Sequence, residues 1–200
     1  MRWERLFQDL EDQLDRETDA ELEDIARDEE RLRIARLPLI DRVRDYLGEP
    51  GRVPSVFLSV SQALLKCTVI RCGRDWMLVQ VQEPLALAGT VLIPITALRS
   101  MRIDARDVSP ISRPRRTDTT GKNHQLSSEI AFTFVLRDLC RRRRHVTVRG
   151  DDGEISGTIE RVGKDHVDMA IHPVGLARSA NAVNYVAIVP LARIDLVHLT

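Results

Sequence analysis

Histidine and aspartate are the side chains in this sequence whose spacing could support chemistry. Two of the five histidines lie close together, with Asp168 between them, in the segment His166-Val-Asp-Met-Ala-Ile-His172. We predict a strand here, and the alternation of side chains along a strand separates these groups too widely to hold one metal ion. Asp75 and Asp165 occupy equivalent positions in two similar segments, which favours turn capping over a pair of catalytic carboxylates. We therefore expect no metal site and no acid–base pair.

The cysteines indicate neither a nucleophile nor a disulfide framework nor a zinc site. There are three, Cys67, Cys72 and Cys140, and none has CxxC spacing. They lie in apolar segments, where a small buried hydrophobic residue is the ordinary interpretation, and their odd number fits a reducing cytoplasm. The sequence also lacks the P-loop, GxGxxG, GxSxG and HExxH motifs. These features predict a protein that is not an enzyme and needs no cofactor.

No segment of the sequence predicts a membrane partner or export. A bilayer-spanning helix needs about 20 consecutive apolar residues, and no run in this chain reaches that length. The first residues, MRWERLFQDLEDQLDRE, are amphipathic and acidic, whereas a signal peptide begins basic and continues apolar. We expect a cytoplasmic protein.

The charges are divided between an acidic N-terminal arm and a basic remainder. Residues 1–30 hold 13 acidic and 4 basic side chains, although the whole chain has a net charge of zero. Helical spacing places five apolar side chains of the arm on one narrow face, which we predict to bind a partner: Trp3, Leu6, Phe7, Leu10 and Leu14. Three uses of this face stay open: packing on the protein's own body, self-association, or docking onto another protein or into a nucleic-acid groove.

An internal repeat organises the rest of the chain. Residues 67–81 and 157–171 share the pattern x-T-hydrophobic-x-R-x-G-basic-D at an offset of 90 residues. Residues 91–103 and 187–199 are apolar, strand-like segments with one proline each, at an offset of 96 residues. In the second copy, Asp151-Asp-Gly153 marks a hairpin turn. Gly163 marks a further tight turn, in which we expect it to adopt a positive φ.

The second copy resembles the first motif of the Sm-like family of small β-barrels. The resemblance rests on four residues: Asp152, Gly153, Gly157 and Asp165. It implies a small-barrel fold and a binding role, because members of the family bind RNA. They use an Asn four residues after the motif aspartate, where this chain has Met169 and, in the first copy, Val79. They also use an Arg-Gly pair, where this chain has Arg193-Ile-Asp195. The N-terminus resembles a group of uncharacterised actinobacterial proteins.

Short strands with closely spaced turns predict a small antiparallel barrel for each copy. We expect an α+β, mainly β fold of two tandem Sm-like or SH3-like small barrels, each preceded by a helix, behind an acidic amphipathic helix. The predicted boundaries are an acidic helical arm at 1–36, a first barrel at 37–104, a flexible linker at 105–128 and a second barrel at 129–200. The helices that precede the barrels are predicted at 39–47 and 130–140.

Clustered arginines predict contacts with RNA or DNA. They lie in the linker, at the end of the second barrel's helix and in two nearby strands: Arg113, Arg115, Arg116, Arg141, Arg142, Arg143, Arg144, Arg149 and Arg161. The competing interpretation is that cations at a helix C-terminus stabilise the helix dipole. We expect a non-catalytic binding protein, associated with nucleic acid or a ribonucleoprotein in a regulatory or accessory role. The alternative is a protein-interaction scaffold or adaptor that uses the acidic N-terminal helix. A homo-oligomer is expected.

Overall fold

The computed structural model describes residues 22–47, 55–104, 129–172 and 185–199. The chain divides into two compact units, Met1–Pro38 and Leu39–Thr200. In the first unit, residues 22–35 form helix α1. Ion pairs between side chains three or four residues apart lie along α1, such as Arg27 with Glu23 (3.0 Å) and with Asp24 (2.6 Å). These pairs are exposed and each stabilises the helix by only a few tenths of a kcal/mol, roughly 0.2–0.5.

The described part of the second unit contains two helices and ten strands. The helices are α2 (Leu39–Leu47) and α3 (Phe132–Arg141). The strands in chain order are β1 (Ser55–Val60), β2 (Ala63–Cys72), β3 (Trp76–Glu83), β4 (Gly89–Pro94), β5 (Leu98–Arg102), β6 (His145–Gly150), β7 (Gly153–Val162), β8 (His166–Ile171), β9 (Tyr185–Pro190) and β10 (Leu196–Leu199). Short 3-10 turns occupy Leu85–Leu87, Ile95–Ala97 and Leu191–Arg193. The helix α2 coincides with its predicted segment, whereas α3 begins later than predicted.

All ten strands belong to one antiparallel sheet in the order β5-β1-β2-β3-β4-β10-β6-β7-β8-β9. The mainly β character was predicted, but the prediction of two tandem Sm-like or SH3-like barrels is wrong, because the strands form a single open sheet. Two groups of five strands are joined where β4 pairs with β10, with Leu92 opposite Val197 and Val91 opposite His198. The strands β5 and β9 are the two ends of the sheet.

The strands β4 and β10 join the two groups because each contributes to both hydrophobic cores. Val91 and Ile93 of β4 belong to a core built on β1, β2 and β3, whereas Leu92 belongs to a second core built on α3, β6 and β8. On β10, Leu196 and Val197 divide in the same way. Successive side chains of a strand point to opposite faces, so a strand shared by two cores is buried on both faces. The backbone N–H and C=O groups of such a strand need hydrogen-bond partners on both edges. At the junction, β4 and β10 provide these partners for each other.

The backbone irregularities of the two groups recur at the offset seen in the sequence. The β2·β3 pairing shifts register between Val69 and Arg71, and the β7·β8 pairing shifts between Ile159 and Arg161. The next turn also recurs, since the amide of Gly73 donates to the carbonyl oxygen of Trp76 (2.9 Å) as Gly163 does to His166 (2.8 Å). Equivalent residues can therefore be compared directly between the groups.

The glycines of the turns follow the sequence predictions in one case and not in the other. Gly153 has a φ of +113° in the hairpin between β6 and β7, which confirms the predicted turn. Gly163 is not among the described glycines with a positive φ, so that prediction is wrong. Glycine fits there for a steric reason: a Cβ at Gly163 would overlap the ring of His166, as one at Gly73 would overlap the indole of Trp76.

Candidate functional site

The arginines predicted to bind nucleic acid are brought together only in part. Arg113, Arg115 and Arg116 lie outside the described residues. The four arginines 141–144 are exposed at the end of α3. Arg161 is exposed on β7, next to Glu160, whose carbonyl oxygen accepts a hydrogen bond from the Cys140 thiol of α3 (3.3 Å). Arg149 lies on β6, where its guanidinium forms an ion pair with Glu154.

Two of the arginines at the end of α3 share one carboxylate. Arg141 and Arg142 bond to Asp138 at 2.6 and 2.7 Å. The hydrogen bond from Arg141, together with that from Arg142, holds the pKa of Asp138 below its ordinary value. The pairs are exposed, so they contribute little to stability. They do lower the positive charge that this surface presents to a phosphate backbone.

Arg143 adopts a backbone conformation that usually selects glycine. Its φ is +50°. The amides of Arg143 and Arg144 donate to the carbonyl oxygens of Cys140 (3.0 Å) and Leu139 (3.1 Å), which closes α3 with a Schellman motif. Glycine is common at this position because a side chain in the left-handed region costs about 1–2 kcal/mol. Arginine occupies it here despite that cost.

The four described histidines are bound to neighbouring groups, and only two of their rings, those of His145 and His172, contact each other. His172 is 5% exposed and its Nε2 lies 3.3 Å from Thr158 Oγ1. The ring of His145 packs edge-on against that of His172, with centroids 5.1 Å apart, and His166 Nδ1 lies 2.8 Å from an oxygen of Asp165. Within the described ranges, no group of three or more His, Cys, Asp or Glu side chains is placed to hold a metal ion.

Two of the three thiols are protonated at physiological pH. Burial raises the pKa of Cys67 to about 12. Burial also raises the pKa of Cys72 to about 11, although the nearby charge of Arg44 opposes this shift. Since the thiolate is the nucleophilic form, neither side chain is placed for covalent chemistry.

Strand β9 presents an open and apolar edge of the sheet. It pairs with β8 on one side, and no other described strand pairs with it. Its sequence, Tyr185-Val-Ala-Ile-Val-Pro190, contains no charged residue. Tyr185, Val186 and Ile188 are 74%, 60% and 71% exposed. Natural edge strands are usually protected by charges, bulges or covering segments, and among the described residues β9 has neither a charge of its own nor a strand along its free side.

The equivalent strand of the first group is covered. By the offset of 96 residues, Leu92 of β4 corresponds to Ile188 of β9. Leu92 is fully buried, and it lies opposite Val197 of β10. Leu92 is buried because the second core packs against it and β10 pairs along β4, whereas no described strand lies along the free side of β9.

A second contact links the two groups, at the turn between β2 and β3. The carbonyl oxygen of Ile130 accepts hydrogen bonds from the backbone amide of Arg74 and from Trp76 Nε1, both at 2.9 Å. One carboxylate oxygen of Asp75 accepts a hydrogen bond from the amide of Phe132 (2.7 Å), the first residue of α3. Asp75 thus caps a helix of the other group, which also explains why α3 starts after Ile130.

The far end of β9 borders a groove. The groove has a volume of about 340 Å³ and is lined by residues of the β6–β7 hairpin and of β9, including Asp151, Asp152, Ile188, Pro190 and Arg193. Arg193 and Asp151 form an exposed ion pair across it (3.5 Å). The groove extends the apolar edge towards a polar end, so a strand added along β9 would meet charged groups beyond Ile188.

The sequence predicted the arginines as nucleic-acid contacts, which stays a prediction, and it did not single out β9. The predicted partner-binding residues Trp3, Leu6, Phe7, Leu10 and Leu14 lie outside the described residues. The sequence of β9 is six residues long, apolar and uncharged. A buried strand has the same pattern, so the sequence does not show that β9 is exposed.

Comparison with known proteins assigns no family. None of the helices in the described part of the chain is long and apolar enough to cross a membrane. The resemblance to the Sm-like family and to actinobacterial proteins stays a prediction from the sequence. No protein-family model, no curated protein and no solved structure matches this chain.

Proposed function

We propose that this chain is a non-catalytic binding protein that holds another polypeptide along the open edge of β9. The observation that carries the proposal is the exposure of Ile188, at 71%, in a strand whose equivalent, β4, buries Leu92 completely. A strand added along β9 satisfies the outward backbone groups of that edge, and its side chains cover the apolar residues. We also propose a cytoplasmic location.

The exposed apolar side chains of this edge would contribute to the affinity for an added strand. Full burial of an isoleucine side chain contributes about 1.5–3 kcal/mol, which corresponds to roughly tenfold to a hundredfold in affinity. Val186 and Tyr185 add to this, since both are more than half exposed. Main-chain hydrogen bonds provide affinity in strand addition, and the alternating side chains provide selectivity.

A labelled peptide tests whether β9 accepts a strand. The peptide RIDLVHL, residues 193–199, contains the strand that covers β4 within the chain. We expect it to bind the full-length protein in a fluorescence anisotropy titration. Ile188→Asp should weaken binding at least tenfold, because a charge would enter an apolar contact. Leu85→Asp makes the same change at a side chain that is 86% exposed in the turn before β4, and it should bind like the wild type. Equal binding by all three proteins contradicts the proposal.

Nucleic-acid binding is a second candidate function, and one observation favours it. Arg143 keeps a side chain where glycine would remove a backbone cost. Backbone strain of this kind persists where a side chain serves a function. The neighbouring exposed arginines of α3 would contact phosphates without reading sequence.

A salt series on Arg143→Gly tests this candidate. The substitution removes one charge and relieves the positive φ, so the fold should become slightly more stable while affinity falls. If Arg143 contacts a phosphate, the dependence of log K on log salt concentration should lose about one unit of slope. Arg74→Ala is the matched control, because Arg74 is exposed at another turn and its hydrogen bond to Ile130 is made by the backbone amide, which the substitution keeps. Identical salt slopes for Arg143→Gly and the wild type would remove this candidate.

A further inference from the structure

The two groups of strands are joined by contacts whose participants each have an equivalent, by the repeat, elsewhere in the same chain. The junction has two contacts: the pairing of β4 with β10, and the capping of α3 by Asp75. By the repeat, β9 corresponds to β4 and β5 corresponds to β10. Likewise the turn at Asp165 corresponds to the turn at Asp75, and α2 corresponds to α3. The strand edges and the turn of the junction therefore occur a second time in the same chain, although on β5 Ser100 stands where β10 has the buried Leu196.

We propose that the polypeptide held along β9 is a second copy of this chain, which presents its own β5 edge. This inference rests on the proposed function of β9 and specifies the partner. The first copy contributes β9 and the turn at Asp165. The second copy contributes β5 and the start of α2.

The internal junction sets the register of the contact between copies. Within one chain, Val197 of β10 lies opposite Leu92 of β4, and His198 lies opposite Val91. An offset of 96 residues relates both strands to their counterparts. The equivalent pairs between copies are Met101 opposite Ile188 and Arg102 opposite Ala187. The free side of β5 is available for this pairing, since among the described strands β5 pairs only with β1.

Burial at equivalent positions supports the same arrangement. Leu92 is 0% exposed at the junction, whereas Ile188 is 71% exposed at the free edge. Phe132 begins α3 and is 5% exposed beside Asp75, whereas Leu39 begins α2 and is 48% exposed. Apolar side chains that the junction buries are therefore exposed at both ends, on β9 and on α2.

The polar part of the junction also has a counterpart, Asp165, which in the single chain contacts His166 at 2.8 Å. Asp75 accepts a hydrogen bond from the first amide of α3. The side chain of Asp165 is 84% exposed, and the turn that carries it has the same backbone hydrogen bond as the turn at Asp75. A carboxylate near a helix N-terminus is attracted by the helix dipole and by the free amides of the first turn. In the assembly, Asp165 of one copy lies at the start of α2 of the next.

The contact uses different surfaces on the two copies, so it is heterologous. A heterologous contact continues from copy to copy and either closes into a ring or extends as a filament. Both outcomes have masses above that of a single chain, which is 22.7 kDa.

Mass measurement with matched variants tests the proposal first. Light scattering after size exclusion, over a concentration series, should give multiples of 22.7 kDa for the wild type. Ile188→Asp should give the mass of one chain, because its side chain is exposed in a single copy and the substitution leaves the core intact. Leu85→Asp should assemble like the wild type. Assembly by Ile188→Asp to the same extent as the wild type would overturn the proposal.

Disulfide trapping tests the register. Opposed residues of antiparallel strands have Cβ atoms about 4.5–5.5 Å apart, close enough for a disulfide after small adjustments. We expect Arg102→Cys mixed with Ala187→Cys to form a cross-linked dimer under mild oxidation, compared with wild type treated identically. Arg102→Cys mixed with Ile188→Cys is the control, because those side chains would point to opposite faces. Cross-linking of Ala187→Cys with itself would show that two β9 strands meet, which overturns the proposed register.

Two results together separate this inference from the proposed function. A single-chain mass at every concentration, with no cross-link, overturns self-assembly. If the peptide of residues 193–199 still binds and Ile188→Asp still weakens it, β9 accepts a strand from a different protein and the proposed function stands. If the peptide also fails to bind, both proposals are wrong.

Discussion

The capping of α3 by Asp75 gives the sharpest test of how the two groups of strands are held together. The amide of Phe132 donates to the carboxylate of Asp75 at 2.7 Å, across 57 residues of sequence. Loss of a helix cap costs about 0.5–2 kcal/mol, and the attraction between a carboxylate and the helix dipole adds roughly 0.3–1 kcal/mol. We expect Asp75→Ala to lower the free energy of unfolding by about 1–3 kcal/mol, the sum of these two ranges. Asp75→Asn keeps an acceptor oxygen and should lose only about 0.3–1 kcal/mol, the dipole contribution.

Thermal unfolding followed by circular dichroism measures this difference. For a chain of this size, 1 kcal/mol corresponds to a shift of about 2–4 °C in Tm. The proteins are best compared in the Ile188→Asp background, so that assembly does not contribute to stability. Asp165→Ala is the matched control, because Asp165 has the equivalent turn position but caps no described helix, and we expect only a small shift in Tm from the loss of its exposed contact with His166. Equal effects of Asp75→Ala and Asp165→Ala would refute the capping argument, as would an unchanged Tm for Asp75→Ala.

Three further predictions follow from single residues. Leu136→Ala should lower the free energy of unfolding by about 2–5 kcal/mol in guanidinium denaturation, because Leu136 is fully buried in the second core; a loss below that range would mean that the core closes around the cavity. The Asp138 carboxyl should titrate by NMR below the ordinary pKa of aspartate, because Arg141 bonds to it. Its depressed pKa stabilises α3 above the unfolded pKa, and that contribution is lost as the pH falls through the folded pKa; a normal titration of Asp138 would contradict the ion pairs. Cys67 and Cys72, with pKa values raised to about 12 and about 11, should resist iodoacetamide at pH 8 in the native protein and react in guanidinium; rapid native labelling would contradict their burial.

The elements that were predicted correctly depend on local sequence. The helix α2 coincides with its predicted segment because apolar residues recur there at helical spacing. The hairpin at Asp151–Gly153 was predicted because Gly153 supplies a positive φ. The hairpin between β1 and β2 carried no such signal, since Ser61, a residue other than glycine, has a φ of +51° there. A turn can be predicted from the sequence only where it contains residues, such as glycine, that favour its backbone conformation.

The contacts that the candidate residues make were not visible in the sequence. The arginines of α3 were visible as a run in the sequence, but their pairing with Asp138 depends on helical geometry at three and four residues. The capping role of Asp75 was predicted for its own turn, whereas the structure gives it to a helix of the other group. A partner that lies 57 residues away is not visible in a local pattern.

The sequence by itself determined the repeat, the position of α2, the turns at Gly153 and Gly163, and a mainly β chain, because these follow from periodicity and turn chemistry over a few residues. Only the tertiary structure decided that the ten described strands form one open sheet and that none of them pairs along the free side of β9. Leu92 and Ile188 occur in similar apolar segments, yet one is fully buried and the other is 71% exposed. Strand pairing is a contact between distant segments, so the sequence near each residue cannot determine which edge is covered. Here β10 packs side chains into both cores and pairs with β4. The edge of β4 is therefore covered, whereas no described strand pairs with the equivalent edge of β9.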